Sequence, residues 1–457
     1  MAQDRSLAGV PMPKRIVIVG GGAAGLDAAL SARRTSRDAE VTIISEEPRP
    51  AYSRCALPFV IGGDIEGFDR IVIYKPEFYR MMRIGLKLST SVVEVDAGNK
   101  VVRAMGPGGV EERVPYDALI LATGARAALP PIKGREKRGV HPLRTIDDAS
   151  AILQRAMGAK SAVVVGAGLV GLEAAEGLVK RGVKVTVVEA LSQVLRPILD
   201  EDMAKLVQSS IAAHGVRLML NTKVDEILGD EAVRAVAAGG EVIEADLVVI
   251  ATGVRANVDL AAKAGCKLGV TGGIKVDSRM MTSVPDIYAA GDCVESIHLV
   301  TKQPTLCQLG TVAVKQGKVA GINAAGGYAT FPGVLGSTVS KLFGLEVGFT
   351  GLTVWQAKQA GLDVVVGSAA WRTRAEYYPG GKDIRVKLIF ERESMKLIGA
   401  QIIGGEGVAG RIDGLSLAIQ AGMTAYDLSK ADTCYTPPLA DTWSPITLAA
   451  EAALRRA

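Results

Sequence analysis

Two stretches of this chain carry the same alternation of apolar runs and glycine breaks. In the first, Arg15–Val19 (RIVIV) stops at Gly20-Gly21-Gly22-Ala23-Ala24-Gly25. An alanine-rich segment (LDAALSARR) follows, then a second β-branched run, Val41–Ile44. The second stretch repeats the order: SAVVV at 161–165, Gly166-Ala167-Gly168-Leu169-Val170-Gly171, a helical segment (LEAAEGLVKRG), and VKVTVVE ending at Glu189. Short apolar runs bounded by glycine read as strands buried on both faces, with the alanine-rich segments as covering helices. The pattern predicts strand, tight turn, helix and strand, twice over.

Further runs show how the two units are nested. Leu119–Gly124 (LILATG) and Val248–Gly253 (VVIATG) are near-duplicate strand-turn segments at the borders of the second stretch. Val284–Asp292 (VPDIYAAGD) is another buried strand pattern, and it ends on Gly291-Asp292. From about Gly336 the character changes: VVVGSAAWR, DIRVKLIFE and KLIGAQIIG read as strands, and Gly410–Ala421 as an amphipathic helix. The expected architecture is α/β, with two nested Rossmann-like dinucleotide-binding domains and a C-terminal α+β domain. The first part of the outer domain is expected at 14–125, the inner domain at 126–252, the outer domain resumed at 253–332, and the last domain at 333–457.

Each glycine turn lets the backbone approach a pyrophosphate, and the helix behind it supplies amide donors and a positive dipole. Two complete fingerprints mean two nucleotides. The acid expected about twenty residues on is Glu189 in the second unit, placed to accept from an adenosine ribose hydroxyl. Residues 190–195 (ALSQVL) hold no Arg or Lys for a 2′-phosphate, which favours NADH over NADPH. In the first unit Ser45 occupies the acid's slot, and Glu46 and Glu47 follow it; one of the two is expected to bind the ribose. Asp292, at a strand end, is placed for a polyol hydroxyl.

Composition narrows the class. A 457-residue chain suggests about three domains. The net charge of +5 is spread out, and Lys133, Arg135, Lys137 and Arg138 are interrupted by Gly134 and Glu136, so nucleic-acid binding has little support. Five scattered cysteines without a CxxC form neither a disulfide scaffold nor a zinc site, and fit a reducing compartment. The first fourteen residues show no apolar signal region, and no apolar run reaches the ~18 residues that cross a bilayer. A cytoplasmic protein without membrane segments or metal sites is expected.

One of those cysteines, Cys55, lies in YSRCALPFVIGG (52–63), shortly after the second strand of the first unit. A redox thiol needs an electron source in contact and surroundings that hold it as thiolate. With both fingerprints and this segment in place, the chain resembles the FAD-dependent pyridine nucleotide-disulfide oxidoreductases. Within them it is most similar to the single-cysteine branch of coenzyme A-disulfide reductases and NADH oxidases. The resemblance runs from Lys14 to the C-terminus. It implies FAD on the first loop (Gly20, Gly22, Ala23, Ala24, Gly25), on Arg54 and Cys55, on Ala122-Thr123-Gly124 and on Gly291-Asp292. It implies NAD on Gly166, Gly168, Leu169, Val170, Gly171, Glu189 and Gly253.

Cys55-Ala56-Leu57-Pro58-Phe59 matches the branch's redox segment, and no second cysteine stands four residues away as in glutathione reductase relatives. The chemistry implied is a mixed disulfide with a small thiol. Oxidases and peroxidases of the branch keep a histidine in the first loop, where this chain has Ala23; its histidines are 141, 214 and 298. Tyr377 and Tyr435 match tyrosines that reach across a homodimer to the partner's redox sulfur, while Leu439 departs from a second tyrosine after the prolines. Arg33 and Arg34 align with a pair that contacts coenzyme A phosphates, and Lys75 is a further candidate. Cys434, beside Tyr435, is expected to be buried in its own core, since neighbours in an extended segment face opposite ways; the alternative is an auxiliary thiol near the redox sulfur. The implied activity is NAD(P)H-dependent reduction of a low-molecular disulfide or persulfide. The alternatives are single-electron transfer to oxygen or an iron–sulfur protein, and a flavin sensor that does not turn over.

Overall fold

Both repeated stretches fold as five-stranded parallel sheets. The computed structural model describes residues 13–457; the first twelve residues, where no signal region is expected, lie outside it. In the outer sheet Arg15–Val19 lies between Glu40–Ile44 and Ala118–Leu121, with Ile84–Lys87 and Ile287–Ala289 at the edges. In the inner sheet Ser161–Val165 lies between Lys184–Val188 and Leu247–Ile250, flanked by Arg217–Met219 and Val140–Pro142. Ile16, Ile18, Val163 and Val164 are fully buried, as strands covered on both faces require. Each such side chain contributes about 1.5–3 kcal/mol.

The helices fall where the alanine-rich segments predict. Ala23–Thr35 packs along Gly310–Ala324, and Leu169–Lys180 along the short helix Leu57–Gly62. The chain passes from outer to inner domain and back through Ala125–Ala127 and Val254–Ala256, which pair antiparallel with Arg126 opposite Arg255. Thr123 and Asn257 fasten the same crossing through two side chain–backbone hydrogen bonds of 2.7 and 3.0 Å.

The C-terminal domain is an antiparallel sheet in the order Thr338–Leu342, Leu345–Gly351, Leu397–Gly404, Asp383–Glu391, Val364–Arg372. The last three are the strands read from the sequence. The hairpin formed by the first two is not, because its two-residue turn is Phe343-Gly344, both at positive φ, in place of the usual Asn-Gly. The helix Val408–Gln420 lies near its expected bounds, and a further helix, Pro445–Leu454, covers the strand Val364–Arg372. Among the described residues no helix is long and apolar enough to cross a membrane.

Candidate active site

The two glycine loops are built alike. Gly20 N–H donates to Ile44 O, and Gly166 N–H to Val188 O, each at 2.8 Å. A Cβ on Gly20 would lie 2.1 Å from Ala122 O, and one on Gly25 1.9 Å from Gly20 O. The corresponding approaches are 2.5 Å at Gly166, to Ala251 O, and 2.1 Å at Gly171, to Gly166 O. Both loops exclude a side chain there on contact distance alone. Nothing lies within 4 Å of where Cβ atoms on Gly22 and Gly168 would stand. The helices that follow begin without a side-chain cap, whereas Ile146–Ala156 starts on a Thr145–Asp148 capping box. Two open cradles, each ending in uncapped first-turn amides, fit the pyrophosphates of FAD and of NAD(P)H.

The acid slots differ. Glu189 accepts from Ala167 N–H (2.7 Å) and Leu191 N–H (2.8 Å), so the carboxylate closes its own glycine loop. Ser45 holds the equivalent place in the first unit, its amide bonded to Lys87 O as that of Glu189 is to Met219 O. Its hydroxyl lies 3.0 Å from where a Cβ on Gly21 would stand. Glu47 is committed elsewhere: it accepts from Tyr52 Oη (2.6 Å) and pairs with Arg54. Glu46 is exposed, and its carboxylate has no such commitment.

Cys55 sits in a single 3-10 turn, Arg54–Ala56, that runs into the helix Leu57–Gly62. Leu57, Val60 and Ile61 bury one face of that helix, and Pro58 O would lie 2.9 Å from a Cβ on Gly177 of the inner domain. The Cys55 turn is thereby wedged between the two nucleotide-binding domains. Arg54 donates to Arg144 O (2.9 Å), its guanidinium lies 5.2 Å from the Tyr52 ring centroid, and Arg144 pairs with Asp292 at 2.7 Å. The Cys55 thiol is exposed, yet burial of its surroundings pushes its pKa up, helped by Glu173 once that carboxyl has lost its proton, opposed by Arg144 and helped again by Asp292. Arg144 and a backbone hydrogen bond at Cys55 itself work towards the thiolate.

Glu173 and Arg144 are the residues that the sequence reading missed. Burial raises the Glu173 carboxyl to about 7; Ser340 donates to it at 2.6 Å, tying the inner domain to the C-terminal sheet. Arg144 directly precedes the capping box at Thr145, which was a legible helix start but said nothing of an ion pair to Asp292. A cavity of about 490 Å³ opens where the three domains meet. Its walls include Leu169 from the second glycine loop, Pro197 and Ile198, Gln308 and Leu309 beside Asp292, and Trp355.

The remaining candidates lie apart. The Arg33 guanidinium is spent on the backbone carbonyls of Ser36, Arg37, Met82 and Arg83, so it holds the foot of the outer sheet. Arg34 and Lys75 are exposed. Tyr377 and Tyr435 hydrogen-bond to each other on the surface, and no hydrogen bond joins either phenol to Cys55 of the same chain among the described residues. Cys434 is exposed, which corrects its expected burial: residues 432–436 form an exposed segment with no core behind them.

Residues 14–317 match the family model of the pyridine nucleotide-disulphide oxidoreductases, and residues 338–445 that family's dimerisation domain. The chain is 46% identical to a Methanocaldococcus jannaschii NADH oxidase, over 97% of this chain and 99% of that one. It is 37% identical to a Pyrococcus furiosus NAD(P)H sulfur oxidoreductase (CoA-dependent), over 96% and 98%. Its structure superimposes on a NAD-dependent persulfide reductase from A. fulgidus with a TM-score of 0.94 and 40% identity, over 97% of this chain and 83% of that one. It superimposes equally well on a Bacillus anthracis CoADR-RHD, with 32% identity, over 97% and 80%. The two glycine loops and the C-terminal sheet agree with these likenesses: the chain belongs to the pyridine nucleotide-disulphide oxidoreductase family and is a NAD(P)H-dependent FAD flavoprotein.

Proposed function

We propose that this enzyme reduces a low-molecular disulfide or persulfide through Cys55, with NADH as preferred donor. The observation that carries the reading is the placing of one exposed thiol, without a second cysteine near it, in a turn wedged between two nucleotide cradles. The names of two relatives, a CoA-dependent sulfur oxidoreductase and a persulfide reductase, describe the same chemistry. Cys55 Sγ attacks one sulfur of the substrate; its S–S bond breaks, one thiolate leaves, and the other half stays on Cys55 as a mixed disulfide. A tyrosine of the pair Tyr377 and Tyr435, contributed by the partner of a homodimer, gives the leaving thiolate its proton. The bound flavin supplies the two-electron chemistry that links NADH to the sulfur centre.

In this scheme Ser45 or Glu46 bonds the FAD ribose, Asp292 its polyol, and Glu189 the ribose of NADH. Arg34 and Lys75 are free to meet an anionic carrier such as coenzyme A, whereas Arg33 is not. Anaerobic titration with NADH, wild type beside Cys55→Ser, tests the scheme. With Cys55 first oxidised to a mixed disulfide by coenzyme A disulfide, uptake by wild type alone of two electrons beyond the flavin, breaking that S–S bond, and reoxidation by coenzyme A disulfide or a persulfide are the expected result. Equal behaviour of the two proteins would remove Cys55 from the reaction and leave oxygen or an iron–sulfur protein as acceptor. The M. jannaschii relative's name makes oxygen the first of these to try.

A further inference from the structure

A buried charged cluster joins the inner domain to the C-terminal domain, and the thiol chemistry makes no use of it. Asp200, 7% exposed, caps the helix Glu201–Ala213. Its backbone N–H donates to Gln401 Oε1 (2.9 Å), and its Oδ2 accepts from Gln401 Nε2 (2.7 Å) and pairs with Lys387 Nζ (3.0 Å). Its Oδ1 accepts from Val354 N–H at 3.1 Å. Lys387 also reaches Asp202 Oδ1 at 2.7 Å, and faces the fully buried Gln401 across neighbouring strands. A buried ion pair is a weak source of stability, since apolar side chains of like volume usually serve as well. What it does specify is geometry.

The geometry at stake is that of segment 190–200. This segment runs from Glu189, at the second glycine loop, to Asp200, and its Pro197 and Ile198 line the same cavity as Leu169 and Gln308. The cavity is lined by Leu169 of the second glycine loop and by Gln308, whose Nε2 donates to Asp292 O, so it borders both nucleotide sites and offers a nicotinamide ring room beside them. The segment is gripped from outside as well: Gln356 Nε2 donates to Pro197 O (3.1 Å), and the Arg196 guanidinium lies 4.9 Å from the Trp355 ring centroid. Trp355 and Gln356 belong to the short helix Val354–Gln359, whose first amide is the one that Asp200 accepts. One piece of the C-terminal domain therefore holds both ends of the wall.

We infer that Asp200, Lys387 and Gln401 are positioning residues for the nicotinamide: they pin segment 190–200 to the C-terminal domain and thereby set the width of the cavity. The inference rests on the assignment of NADH to the second loop and extends it to residues that touch no nucleotide. Two variants separate the clamp from general stability. Asp200→Asn/Lys387→Met leaves no buried charge unpaired, and Trp355→Ala/Gln356→Ala releases the outer grip at one exposed and one half-buried position. In the flavin-loaded protein both are expected to speed hydrogen exchange of the 190–199 amides and to weaken NAD+ binding in calorimetry. Flavin bleaching by NADH should slow about 10- to 100-fold, while alkylation of Cys55 keeps its wild-type rate.

Variants whose exchange, NAD+ affinity and bleaching all stay at wild-type values overturn the inference. So does faster exchange with unchanged affinity and bleaching, which would make the clamp merely structural. If the buried pair fails to fold, the surface pair decides alone. A wild-type protein that NADH does not bleach overturns instead the assignment of the second loop, and this inference with it.

Discussion

The two nucleotide-binding units share a backbone and differ in where their carboxylates are spent. Both loops close on the same hydrogen bond from the first glycine and the same near-contact with the turn after the returning strand. In the inner unit Glu189 stands in the acid slot and bonds its own loop. In the outer unit that slot holds Ser45, and the nearby Glu47 has been drawn into the Tyr52–Arg54 cluster beside Cys55. A second pair of acids matches by position, since Asp27 stands to Gly20 as Glu173 stands to Gly166. Burial raises both, and carries Glu173 to about 7. The comparison teaches that a repeated backbone fixes where a nucleotide lies, while the side chains around it are free to serve different neighbours.

The sharpest way to break the symmetry is to fill one loop at a time. Gly25→Ala puts a Cβ where only 1.9 Å separates it from Gly20 O, and should yield protein without yellow colour at 450 nm, at a cost above about 3 kcal/mol. Gly171→Ala makes the equivalent clash at 2.1 Å, and should keep the flavin but weaken NADH binding by more than about 100-fold in a fluorescence titration.

A smaller effect separates the paired acids. Folded Glu173 holds its proton up to about pH 7, whereas the unfolded chain releases it near 4.5. The stability that this proton contributes is complete below 4.5, falls as pH rises towards 7 and is absent above, a change of at most about 3 kcal/mol. Thermal melts of Glu173→Gln should therefore lose that decline and lie above wild type at pH 8. Asp27→Asn should shift in the same direction; a fall at pH 8 in either would contradict the burial cause.

Glu189→Ala is expected to reduce kcat/KM for NADH about 10- to 50-fold, roughly 1.4–2.3 kcal/mol, and to leave NADPH nearly unchanged. Steady-state kinetics with both donors measures it, and an equal loss for both would reassign Glu189 to loop closure alone. The smallest contrast lies in the outer unit. Glu46→Gln should weaken FAD about 5-fold, near 1 kcal/mol, on flavin release at equilibrium. Glu47→Gln should leave FAD affinity unchanged and instead hasten alkylation of Cys55, by loosening the turn that Arg54 anchors.

The parts legible in the sequence were those with local causes. Glycine at 20, 25, 166 and 171, β-branched runs and alanine-rich helices each announce themselves within a few residues, so both parallel sheets were readable. The choice between Glu46 and Glu47 was not, because it depends on where Tyr52 and Arg54 turn. The Arg144–Asp292 pair, the Glu173–Ser340 bond and the Asp200–Lys387 pair join residues far apart in the chain, where no periodicity points. Cys434 went wrong for a related reason: alternation along a strand predicts burial only where a core lies behind one face.

The paired crossings Ala125–Ala127 and Val254–Ala256 bring the two ends of the inner domain side by side. A unit whose ends meet can be exchanged as a cassette without re-routing the rest of the chain, which is how such insertions travel between proteins. A graft that altered coenzyme choice here would have one hidden dependency. The incoming cassette would need an acid at the start of its third helix to receive Lys387, or would leave that lysine charged and buried against nothing.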